Sequence, residues 1–389
     1  MFVTPLFKLM SDKQASDMFF TAGAPIQIKI NGTVIPINSQ PLDPEEVKKI
    51  CYELMTEPQV KEFETKHEMN FAQSGGDLGN FRINIFHQKN TVAMVIRFVK
   101  PDVPAFESLG LPPILKEVIM EKLGLILIVG STGSGKSTTM ASMIDYRNTV
   151  KTGHILTIED PVEFIFKHKK SIVNQREVRV DTHTYENALI SAMREAPDLL
   201  MVGEIRDRET LQSSLLFAQT GHLCMSTLHA NNSYNALNRI IGFFPREARE
   251  SLQADLSIAL RCVISQRLVK SVDGKRVAAV EVMINTKHIQ ELIKAGEINQ
   301  IKDAMEQSLS PGSKTFEQAL FEHYRAGRIT MDEALANADS PSNLHNLISN
   351  APRAGSTANT PPPNENGRTI SGANDDLSSI KLDLGALDR

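Results

Sequence analysis

At 389 residues the chain exceeds one ordinary domain and has room for two with a tail. Its 42 Lys and Arg against 46 Asp and Glu leave a net charge of −4, so no global basic field advertises nucleic acid as a partner. Hydrophobic residues make up 41% and charged residues 23%, and the longest apolar run, Leu125 to Val129, is far too short to span a bilayer, which excludes direct membrane insertion.

The first hundred residues read as a small α+β unit. Near the N-terminus Lys8, Asp12, Lys13 and Asp17 interrupt every apolar stretch, which denies it the apolar region of a secretory signal and places the protein in the cytoplasm. Ile26, Ile28 and Ile30 alternate with Gln27 and Lys29, Asn31-Gly32 supplies turn residues, and Val34, Ile35 and Ile37 resume the pattern, which predicts a β-hairpin. Asp43 before Pro44-Glu45-Glu46 predicts a helix start, with Val47, Ile50, Cys51 and Leu54 on its core face. Strands are expected over 80–87 and 91–99, carrying Arg82 and Arg97. Pro101, Pro104, Gly110, Pro112 and Pro113 predict an extended connector over 101–113, which sets a first domain at 1–100.

Beyond the connector the signals alternate: helix 114–122, strand 124–129, helix 136–150, strand 154–158, helix 184–195, strand 198–203. That is the pattern of βαβ units on a parallel sheet, an α/β fold. From Pro245 to about Ala338 the pattern is mainly helical, with Leu252, Leu256, Ala259, Leu260 and Val263 on one stripe and a strand near 277–284. The second domain is drawn at 114–340. Residues 341–389, with Pro361 to Pro363 in a row and abundant Asn, Ser and Gly, read as a disordered tail. Inside that tail Leu377, Ile380, Leu384 and Leu387 have the spacing of a short partner-docking helix. Cys51, Cys224 and Cys262 are widely separated and read as small buried hydrophobes of a reducing compartment, not as a disulfide framework or zinc site.

The chemistry concentrates in four segments. Gly130-Ser131-Thr132-Gly133-Ser134-Gly135-Lys136-Ser137, followed by Thr138, fits the P-loop pattern between an apolar strand and a helix. Glycines let successive N–H groups face phosphates, Lys136 adds positive charge at the β and γ positions, and the Ser137 hydroxyl ligates Mg²⁺, which makes ATP and Mg²⁺ the expected cofactors. A nucleotide site also needs carboxylates at neighbouring strand ends. Glu159, Asp160 and Glu163 follow one predicted strand, and Glu204 follows the apolar run Leu199 to Val202, with Gly203 where many P-loop enzymes carry Asp. His222 and His229, seven positions apart, lack further ligands for zinc, and either can donate a hydrogen bond to phosphate.

Together these segments resemble the secretion ATPase superfamily: Walker A at 130–137, an acidic box around 158–163, Walker B around 199–204 and a His box at 221–229. Within it, over about residues 1–340, the chain is similar to the type IV pilus retraction ATPases of the PilT/PilU family. The resemblance implies a PAS-like N-terminal domain, a RecA-like ATPase domain with C-terminal helices, and a homo-hexameric ring that binds ATP between subunits. It implies that Glu163 polarises the attacking water, that Glu204 acts on Mg²⁺ through water, and that His229 with His222 senses the γ-phosphate. It further implies that Arg82 and Arg97 reach the nucleotide site and supply guanidinium charge there; Arg194, Arg206 and Arg208 are other arginines that could do this work. The PilT-like members typically carry an AIRNLIRE-like motif where this chain has Lys287-His288-Ile289-Gln290-Glu291-Leu292-Ile293-Lys294, and Ala196 stands where Asp is common. Both departures, with the long polar tail, favour the PilU side of the family.

The implied function is ATP hydrolysis that powers or assists pilus retraction and twitching motility. The implied partners are a paralogous PilT-type motor and the inner-membrane platform protein of the pilus machine, reached at the inner face of that membrane. Two alternatives stay open: a nucleotide-gated accessory subunit of a paralogous motor, and another secretion or DNA-translocating ATPase of the superfamily.

Overall fold

The computed structural model describes residues 3–30, 32–99, 102–308 and 310–350, which fall into two compact units that part between 101 and 102. The first unit contains α1 (Thr4–Asp12), β1 (Asp17–Thr21), β2 (Gln27–Ile30), β3 (Thr33–Pro36), α2 (Pro44–Leu54), α3 (Glu57–Lys66), β4 (Glu68–Ser74), β5 (Asn80–Gln88) and β6 (Thr91–Val99). Its sheet has the order β3-β2-β1-β6-β5-β4, each neighbouring pair antiparallel. Of the charges that interrupt the first apolar stretch, Lys8 and Asp12 belong to α1, an amphipathic helix that buries Leu6, Phe7 and Met10, while Lys13 caps it and Asp17 opens β1. Helix α2 begins at a capping box: Glu46 N donates to Asp43 Oδ1 at 2.8 Å, and Asp43 N donates to Glu46 Oε2 at 2.8 Å. Val47, Ile50, Cys51 and Leu54 are its buried residues, as the spacing predicts.

The second unit contains α4 (Ile114–Val118), β7 (Gly124–Val129), α5 (Lys136–Val150), β8 (Gly153–Glu159), β9 (Ser171–Glu177), α6 (Tyr185–Ala192), β10 (Leu199–Val202), α7 (Arg208–Gln219) and β11 (Leu223–Leu228). It continues through α8 (Ser233–Gly242), α9 (Arg249–Ala259), β12 (Leu260–Lys270), β13 (Arg276–Ile284), α10 (Lys287–Ala295), α11 (Ile301–Glu306), α12 (Phe316–Arg325), α13 (Met331–Ala336) and α14 (Pro341–Asn350). The sheet order is β13-β12-β7-β11-β10-β8-β9, parallel throughout except for the β12–β13 pair. Strands β7, β10 and β11 are buried at every residue, which is why they read as unbroken apolar runs. One face packs on a cluster containing α4 and α5 residues, the other on a cluster from α6 to α11.

Three expectations are corrected. The helical stripe through Val263 ends at Ala259, because Leu260–Lys270 is a strand covered on both faces, and a short apolar run covered on both faces carries no period that separates strand from helix. The connector is not merely extended: Phe106 to Leu109 form a 3₁₀ turn, and Phe106 and Leu111 are buried in the core beside α5. Lys116 reinforces this docking, with its Nζ 5.2 Å from the Phe106 ring centre and 5.0 Å from that of Tyr146. The region read as tail from 341 begins with α14, whose Leu344 is fully buried in a cluster with Phe316 and Leu320. Leu344→Ala should therefore destabilise the second unit by about 2–4 kcal/mol, a loss that denaturant unfolding of the full chain would register. The Leu377 to Leu387 pattern lies outside the described residues. All three cysteines are buried and unpaired, and burial pushes Cys51 and Cys224 up to about 12, which keeps them as inert thiols.

Candidate functional site

The parallel sheet gathers the chemistry at one end. Register pairs Val129 with Leu228, Val202 with Ser226, and Val202 with Ile158, so the segments leaving β7, β8, β10 and β11 emerge side by side. β7 gives way to the loop at Gly130, whose φ is +156° and where a Cβ would lie 2.4 Å from Ser134 Oγ and 2.6 Å from Gln266 O. Only glycine fits there. The loop closes at Gly135, φ +88°, which caps α5 without any side-chain cap. The first-turn N–H groups of α5 are thus left for an anion.

Lys136 is 9% exposed, and its ammonium donates to Gly130 O at 2.9 Å and Ser131 O at 3.0 Å. Burial pulls its pKa down, and the charges of Glu204 and Glu163 oppose that shift. Thr132, Gly133, Gly135, Lys136, Ser137 and Thr138 line a cavity of about 510 Å³ together with Glu163, Glu204 and His229. Gly130 and Ser131 line an adjoining depression that His229 also borders. Ser134 turns inward and is 3% exposed.

Glu204 accepts a hydrogen bond from Arg206 Nε at 2.8 Å, and its Oε1 lies 3.3 Å from His229 Nε2, an ion pair when the imidazole is charged. Gly203 has a structural reason to replace the aspartate common at this place: a Cβ there would lie 3.0 Å from Tyr185 Oη and 3.4 Å from Glu159 Cα. Glu163 is exposed in the cavity, and its backbone N–H donates to Glu159 Oε2 at 3.4 Å. Glu159 itself is buried at 6% exposure and accepts from Thr157 Oγ1 at 2.7 Å and Gln175 Nε2 at 3.2 Å. Burial is the largest influence on it and pushes its pKa up to about 7. Glu159 is therefore a neutral, hydrogen-bonded support beneath Glu163 at pH below 7.

His222 is a correction. It precedes β11 whereas His229 follows it, and six strand residues at about 3.3 Å each put roughly 20 Å between the two ends. His222 stacks edge-on against Phe217 and contacts Thr220 Oγ1 at 3.4 Å, at the end of the sheet opposite the P-loop. Arg82 and Arg97 are in the first unit, directly opposed on β5 and β6, with Asp17 opposite Arg97 on β1. Arg97 Nε donates to Asp17 Oδ1 at 2.9 Å. Sequence reasoning missed Gln175, half-buried, and Gln266, buried, two amides that brace the site. Gln266 stands between Ser265 and Arg267, and nothing in that polar triplet sets it apart.

With this geometry in hand, comparison with known proteins is informative. Residues 2–344 match the family described as Type II/IV secretion system protein. The chain is 46% identical over 344 residues to the type IV pilus ATPase PilU of Pseudomonas aeruginosa, covering 88% of this chain and 90% of that one. It is 40% identical over 342 residues to the type IV pilus retraction ATPase PilT of the same organism, covering 88% and 99%. Among solved structures, that of the pilus retraction motor PilT with bound ADP superposes with a TM-score of 0.82 at 40% identity, covering 88% of this chain and 99% of that one.

Proposed function

We propose, from the premise that this chain belongs to the Type II/IV secretion system protein family, that it is an ATPase of type IV pilus retraction and twitching motility. The observation that carries the reading is a single cavity holding an uncapped P-loop helix, Lys136, and the carboxylates of Glu163 and Glu204. Loop amides and Lys136 bind the β- and γ-phosphates, Glu163 polarises the attacking water, and His229 hydrogen-bonds the γ-phosphate. The donors fit Mg²⁺: the Ser137 hydroxyl and Glu204 carboxylate are hard oxygen ligands, and this ion keeps its other positions for phosphate and water. Mg²⁺ would neutralise charge building on the phosphates; Glu204, held by Arg206 and His229, would orient its water shell. Arg82 and Arg97, a like-charge pair placed directly opposite at a cost, would add guanidinium charge to the nucleotide.

In this reading the first unit is PAS-like, the second RecA-like, and the chain works as a homo-hexamer alongside a paralogous PilT-type motor. None of the described helices is long and apolar enough to cross a membrane. In this reading the chain works at the inner face of the inner membrane through the platform protein. The test is a retraction assay in deletion, wild-type and Glu163→Ala strains, with and without the paralogous motor. We expect Glu163→Ala to behave like the deletion. Retraction restored by Glu163→Ala as well as by wild type would show that the chain serves as an accessory subunit and would sink the motor reading.

A further inference from the structure

We propose that Gln266 is a positioning residue of the phosphate loop, locking the Ser134–Gly135 peptide in its phosphate-binding orientation. The proposal rests on the loop's being an ATP site. Gln266 lies one residue past the Ser265–Val129 pair, where the β12–β7 ladder ends and β7 becomes the loop. It is 3% exposed, and both polar atoms of its amide are engaged: Nε2 donates to Ser134 O at 2.8 Å, and Oε1 accepts from Thr139 Oγ1 at 2.6 Å. The partners dictate this orientation. A carbonyl can only accept, so it takes the NH₂ end, and the Thr139 hydroxyl then donates to the remaining oxygen.

The consequence follows from peptide geometry. The Ser134–Gly135 bond is trans, so its C=O and N–H point in opposite directions. Holding Ser134 O toward β12 turns the Gly135 N–H away from the strand, into the turn that wraps a phosphate. The same side chain limits the loop sterically, since a Cβ on Gly135 would lie 2.8 Å from Gln266 Nε2, and the backbone of Gln266 limits its start, since a Cβ on Gly130 would lie 2.6 Å from Gln266 O. Through Thr139 the amide also ties the loop to the first turns of α5, where Lys136, Ser137 and Thr138 sit. One strand residue thus fixes the start of the loop, its last peptide and its helix.

A loop already oriented binds ground state and transition state alike, so its loss should raise KM and leave kcat nearly unchanged. In the full chain, Gln266→Leu, which keeps the bulk and removes both hydrogen bonds, is expected to raise KM for MgATP and Kd for MgADP about tenfold, with kcat within about threefold of wild type. Thr139→Val should move both constants the same way by a smaller factor, and Thr139→Ser, which keeps the hydroxyl, should restore them. Should Gln266→Leu not fold, Gln266→Met carries the test, since it keeps the length of the side chain and removes both the donor to Ser134 O and the amide acceptor for Thr139. A folded variant whose KM and Kd stay within about twofold of wild type while only its melting temperature falls would assign Gln266 to packing and overturn the proposal. A wild-type chain that neither binds nor hydrolyses MgATP overturns the ATPase reading and this one together, and does so before any substitution is made.

Discussion

Alanine at Lys136 is expected to abolish nucleotide binding and to lower ATP hydrolysis by about a thousandfold, the scale of losing a preorganised charge at a transferring phosphoryl group. The ammonium is held by two neutral carbonyls, Gly130 O and Ser131 O, and burial depresses its pKa. Among the described residues no carboxylate pairs with this buried cation, and a triphosphate would give it a matching anion. Removing it relieves a desolvation cost along with two hydrogen bonds, so stability should change by only about 1 kcal/mol while function collapses. Glu163→Gln makes the complementary case. That side chain is exposed in the cavity and holds up no core, so the variant should bind MgATP normally and lose about two to four orders of magnitude in turnover. Equilibrium binding of a labelled nucleotide beside steady-state hydrolysis separates the two. If Lys136→Ala bound nucleotide like wild type, or Glu163→Gln turned over normally, the roles given to these residues would be wrong.

The part of this site that was legible in the sequence is the part made by backbone. A P-loop needs glycines at fixed positions because side chains cannot occupy the turn, and the steric limits at Gly130 and Gly135 are those that the motif encodes. Glu163, Glu204 and His229 were readable because each comes soon after a strand whose apolar run is unmistakable. His222 was misplaced for the converse reason: spacing in sequence says nothing about which end of a strand a residue occupies until the strand's limits are known. Gln266 and Glu159 act through partners 132 and 16 positions away, Ser134 and Gln175, and no local pattern announces such pairs. Helix α14 escaped for a similar reason, since its polar composition hides Leu344, which anchors it together with the partly buried Ile348. Ala196 is a departure that the structure makes costly: its φ of +47° is a left-handed conformation that Asp tolerates better than Ala.

Glu159→Gln is expected to stabilise the protein at pH 8 and to have little effect near pH 4.5. The ordinary value of this carboxyl is 4.5, and burial raises it to about 7 in the folded chain. Between those values the folded state holds a proton that the unfolded state has released, so folding stability falls as pH rises through the window. Below it both states are protonated and there is no penalty; above it both are ionised and the penalty is complete, at about 3 kcal/mol for a shift of this size. An amide mimics the protonated acid: it still accepts from Thr157 Oγ1 and cannot ionise beside Glu163, whose charge adds to the upward shift. The melting temperature of the variant minus that of wild type should therefore be near zero at pH 4.5, rise through pH 6 and level off above pH 7. A difference that stayed flat across this range would mean that Glu159 is already ionised in the fold. In that case it would stand as a second negative charge facing the phosphates, and the support beneath Glu163 would have to come from Gln175 and the end of β8 alone.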